Sequence, residues 1–107
     1  MSIQDERVKE QLKELAGKFL SSNGNMTSLI TVTRVEMSKD SKSATIFFTV
    51  FPETFEKTAM EFAKRKRSEF KHYVKDNVRF GRIPFVDFMI DTGEKNRQKI
   101  DELLQSE

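Results

Sequence analysis

The chain has 107 residues, 36% hydrophobic and 34% charged, with a formal net charge of +2. That length supports one domain, residues 1–107, with one modest core. With no cysteine there is neither a disulfide framework nor thiol chemistry, and the apolar runs are too short to span a bilayer.

The first expected element is a helix over residues 3–20. Val8, Leu12, Leu15 and Phe19 recur at three- and four-residue steps, with Lys and Glu between them. Ser2 and Asp5 form a plausible N-cap pair, and Ser21-Ser22-Asn23-Gly24-Asn25 stops the helix. Asn25-Met26-Thr27 fits a glycosylation sequon and is read as loop.

Residues 29–37 are rich in β-branched side chains and predict a strand. Ile30 and Val32 share one parity, Val35 and Met37 the other, so a bulge is expected near Thr33–Arg34. Lys39-Asp40-Ser41-Lys42 is a polar turn. Residues 44–51 complete a hairpin, with Ala44, Ile46, Phe48 and Val50 toward the core.

Pro52 ends that strand, and a helix follows with Phe55, Ala59, Phe62 and Ala63 on its apolar stripe. The stripe should continue through positions 66, 67 and 70, but two of these are Lys66 and Arg67. Burying unpaired charge is costly. Two helices meeting at an angle near residues 66–68 resolve the conflict, with Ser68 capping the second and Glu69 in its first turn. Phe70, Tyr73, Val74 and Val78 carry the stripe onward. Residues 85–90 predict a third strand with Val86, Phe88 and Ile90 inward. Asp91-Thr92-Gly93-Glu94 then caps a last short helix edged by Ile100, Leu103 and Leu104.

The charge is concentrated. Residues 63–84 hold eight basic and two acidic residues, a local net of +6, so the rest of the chain carries −4. Lys71, Lys75 and Arg79 fall at four-residue spacing on one helix edge with Arg67 at its head, a row suited to tracking phosphates. A helix N-terminus beside Ser68 adds backbone N–H donors. The expected RNA-binding residues are Lys64, Arg65, Lys66, Arg67, Ser68, Lys71, Lys75, Arg79 and Arg82. Among the ten phenylalanines, Phe47, Phe51 and Phe85 lie on the face opposite the core and are the only candidates to stack a base; ordinary packing is the expectation for them.

His72 is the sole histidine, with no nucleophile or second ligand spaced to work with it. Asp5-Glu6 and Asp101-Glu102 read as solvated pairs, and no Gly-rich phosphate loop occurs. The expectation is therefore a binding protein, not an enzyme, needing no metal, cofactor or small-molecule substrate. The absent cysteine and the charged N-terminus fit the cytoplasm.

Three segments together resemble ribosome-binding factor A: Ile30-Thr-Val-Thr-Arg-Val-Glu-Met-Ser-Lys-Asp40, Ala44-Thr-Ile-Phe-Phe-Thr-Val50, and Arg79-Phe-Gly-Arg-Ile-Pro-Phe-Val-Asp-Phe-Met-Ile-Asp91 followed by Ile100-Asp-Glu-Leu-Leu104. The resemblance implies an α+β, type II KH-like fold ordered α-β-β-α-kink-α-β plus a short C-terminal helix. Its three-stranded sheet would carry the helices on one face. It also implies binding to the small (30S) ribosomal subunit and 16S rRNA during late maturation, and a role in growth in the cold. The family's Ala-x-Gly kink aligns on Lys66-Arg67-Ser68, so both defining positions differ here. A monomer is expected. The alternative is an α/β module that binds an acidic protein without touching RNA.

Overall fold

The computed structural model describes residues 3–23, 29–78 and 83–93. The element order is α1 (Ile3–Asn23), β1 (Leu29–Met37), β2 (Ser43–Phe51), a short 3-10 turn (Glu53–Phe55), α2 (Glu56–Arg65), α3 (Arg67–Asn77) and β3 (Phe85–Ile90). This is the α+β order expected, compatible with a KH-like arrangement. Helix α1 runs through Ser21 and Ser22, a little past its expected end. The Ser2 cap, the loop at 24–28 and the C-terminal helix beyond 93 lie outside the described residues.

The sheet order is β1-β2-β3. Strands β1 and β2 pair antiparallel across the turn, and β2 pairs parallel with β3, so α2 and α3 form the crossover between them. The turn is held by Asp40, whose Oδ1 accepts from Ser38 Oγ at 2.6 Å and from the Lys42 amide at 3.1 Å. Ser41 takes a φ of 60°, the one positive φ at a non-glycine residue among those described.

Alternation decides which face is buried. Ala44, Ile46, Phe48 and Val50 of β2 are buried with Val86 and Phe88 of β3, under Leu12, Ala16, Phe19 and Leu20 of α1. Phe70 joins the layers. It is fully buried, with ring centroids 5.3 Å from Phe19 and 5.7 Å from Phe88. Such tilted aromatic pairs add to the apolar burial.

The expected bulge is present. Val32 pairs with Phe48 and Arg34 with Phe47, leaving Thr33 as the extra residue. Its hydroxyl donates to Asp91 Oδ2 at 2.5 Å, and Arg34 Nε reaches the same oxygen at 3.2 Å. The inserted residue thus turns a polar side chain to a buried carboxylate and returns Val35 to the core face.

Candidate nucleic-acid interface

The helix break falls at Lys66. Its backbone lies at φ −92°, ψ 4°, and its N–H still donates to the carbonyls of Phe62 and Ala63 at 3.1 and 3.2 Å. This is the bridge region, open to any L-residue, so the joint needs no left-handed glycine. The run Lys66-Arg67-Ser68, expected at the kink, is thereby accommodated.

One expectation is corrected. Ser68 does not cap α3: the helix already begins at Arg67, Lys66 holds the N-cap position, and no side chain bonds there. A capping side chain acts from the residue that precedes the helix, whereas Ser68 sits inside the first turn and is exposed. Glu69 does occupy that turn.

On either side of the joint the apolar residues go inward, Ala59 and Ala63 from α2, Phe70 and Val74 from α3. The cations divide into two groups. Lys66 Nζ lies 3.2 Å from Glu69. Lys64 Nζ and Arg67 NH1 both reach Asp87 Oδ1, at 3.4 and 3.3 Å, and the Phe88 amide donates to that oxygen at 2.8 Å. Arg67 Nε also donates to the Lys64 carbonyl. Arg65, Lys71 and Lys75 are exposed and meet no acid among the described residues, with Lys71 and Lys75 one helical turn apart. The ridge is therefore half neutralised by its own fold, and Arg67 leaves the expected row to face Asp87. Arg79 and Arg82 lie outside the described residues.

On the open sheet face the packing expected for Phe51 and Phe85 is corrected. Phe51 and Phe85 are 68% and 63% exposed, so packing does not account for them. Phe47 is half-buried beneath the Arg34 guanidinium, 4.0 Å from its ring centroid. The guanidinium of Arg67 stands 5.8 Å from the centroid of Phe85 and so links the ridge to this face. The available signal was parity: on β3, Phe85, Asp87 and Met89 alternate with the buried Val86 and Phe88.

His72 is exposed on α3, and among the described residues no three His, Cys, Asp or Glu side chains cluster to hold a metal. Among them, too, no helix is long and apolar enough to cross a membrane.

The sequence model of ribosome-binding factor A matches residues 4–104, nearly the whole chain. The chain belongs to the ribosome-binding factor A family. Among its relatives is a ribosome-binding factor A of Fervidobacterium nodosum, 35% identical over 82 residues that make up 76% of this chain and 66% of that one. Another, from Flavobacterium johnsoniae, is 27% identical over 91% of this chain and 76% of its own length. The fold is also similar to the crystal structure of ribosome-binding factor A from Thermus thermophilus, with a TM-score of 0.71 and 23% identity over 80% of this chain and 93% of that one. A model of the Thermus thermophilus factor fitted into a cryo-electron microscopy map of its complex with the 30S subunit gives a TM-score of 0.66 at 24% identity, covering 76% and 88% of the two chains.

Proposed function

We propose that this chain is an assembly factor of the small ribosomal subunit that binds 16S rRNA through the surface around the α2–α3 joint. It acts late in rRNA maturation, as a cytoplasmic monomer, and supports growth in the cold. It works by stoichiometric binding and performs no catalysis. The observation that carries the reading is the trio Arg65, Lys71 and Lys75, exposed beside a broken helix with no acidic partner among the described residues. Family membership supports the ribosomal partner, as does the 30S complex of the Thermus thermophilus factor.

Cations so placed contact phosphates first. Each phosphate neutralised releases counterions, so binding weakens as salt rises. Sequence is read little, because structured RNA offers shape and backbone more readily than base edges.

The test is to replace Arg65, Lys71 and Lys75 together by Glu and to follow co-sedimentation with purified small subunits. The expected outcome is a chain that keeps its circular dichroism spectrum and no longer travels with subunits. Retained co-sedimentation would falsify this surface. Binding to subunits but not to protein-free 16S rRNA would instead favour an acidic protein as partner.

A further inference from the structure

Phe85 is a large apolar side chain left outside by a fold that buries its neighbours Pro84 and Val86. Its backbone is fixed, since its N–H donates to the Lys42 carbonyl at 2.9 Å and β3 begins at this residue. The ring is therefore held out at a set position, with 63% of the residue's surface in solvent. On one side stands Arg67, whose guanidinium lies 5.8 Å from the ring centroid while bonding Asp87. Lys64 shares that carboxylate.

The surroundings choose between possible occupants. A protein partner needs a contiguous apolar patch. The next exposed apolar residue on β3 is Met89, about 13 Å along the strand at about 3.3 Å per residue, and Asp87 lies between them. Phe51 is farther still: Phe85 pairs with Ser43 at the start of β2, and Phe51 ends that strand about 26 Å away. An isolated exposed ring flanked by a guanidinium, with no apolar patch around it, suits a single planar base.

We propose that Phe85 stacks one unpaired nucleobase of the bound RNA, beside the Arg67 guanidinium that Asp87 holds in place. The inference rests on the RNA reading above and narrows it: the RNA element presents an unpaired nucleotide next to the helix joint.

The probes are a short RNA duplex with a single-stranded overhang and the same duplex blunt-ended, with affinity read by fluorescence anisotropy. Phe85→Ala should weaken binding of the overhang RNA about ten-fold and leave the blunt duplex unchanged. Phe85→Trp should keep the affinity, and its indole emission should be quenched by the overhang RNA alone. Phe51→Ala, distant on the same face, should bind like the parent. An affinity of Phe85→Ala within about two-fold of the parent, or an equal loss on both RNAs, overturns the stacking site and leaves the RNA reading standing. If the parent chain binds neither RNA, the stacking site falls, and the RNA reading is decided by the 16S rRNA binding described above.

Discussion

Lys64, the penultimate residue of α2, and Arg67, which opens α3, close on the same oxygen of Asp87, at 3.4 and 3.3 Å. One strand carboxylate thus straps both sides of the helix joint to the sheet. It also occupies two cations of a surface that otherwise attracts phosphate. In Asp87→Asn both cations are released, and RNA binding should tighten. The plot of log affinity against log salt should steepen by up to about two units, since each additional phosphate contact adds roughly one. Stability should fall by no more than about 1 kcal/mol, because these pairs are partly solvated. Weaker RNA binding by Asp87→Asn would mean that the carboxylate positions the cations for RNA instead of competing with it.

Asp91 is a different kind of acid. It is 4% exposed and accepts from Thr33 and Arg34, two groups far from it in sequence. Asp91→Ala removes the acceptor they share and leaves Thr33 only its longer bond to the Phe47 carbonyl at 3.3 Å and Arg34 only Glu36, which costs about 1–3 kcal/mol. The urea midpoint should therefore drop well below that of Asp87→Asn. Equal midpoints would show that the bulge does not depend on this carboxylate.

Ser68 supplies a test of the joint. Glycine was expected at this position from the resemblance, yet the residue lies within α3 and has no positive φ. Ser68→Gly should destabilise by about 0.5 kcal/mol through helix propensity alone. A stabilised variant would mean that the joint prefers a left-handed residue after all.

The hairpin turn has a pH signature. The Ser38 hydroxyl, and after it the Lys42 amide, favour the charged form of Asp40 and hold its carboxyl below the usual aspartate value. A lowered folded value means that the stabilisation is present above the ordinary aspartate pKa of about 3.9 and is lost as pH falls through the folded value. Asp40→Asn should flatten the acid limb of the thermal midpoint against pH in that window. The two proteins should run parallel above it.

Three features of the fold were legible from hydrophobic periodicity, two of them as breaks in it and one as its regular run. The shift from Val32 to Val35 announced the bulge, and Lys66-Arg67 on an apolar stripe announced the helix joint. The alternation from Phe85 to Ile90 announced β3. What escaped the sequence depends on distance. Asp87 meets Lys64 only because the parallel crossover returns β3 beside the helices, and no local pattern encodes that meeting. Phe85 looked like packing because parity tells which face a ring takes, and not whether anything covers it. Ser68 was misplaced by two residues, since a hydroxyl before an acid marks a start only when the chain is not yet helical.

The sheet closes by two very unequal loops. Five residues join β1 to β2, whereas thirty-three, residues 52–84, separate β2 from β3. Ring-closure entropy makes the hairpin an early and inexpensive contact and the parallel pair a late one. Lys64 and Arg67 find their anchor only in that late step, so a chain that has lost β3 keeps its charge but not the arrangement of it. Amide exchange faster in β3 than in the hairpin would mark this strand as the gatekeeper of binding competence.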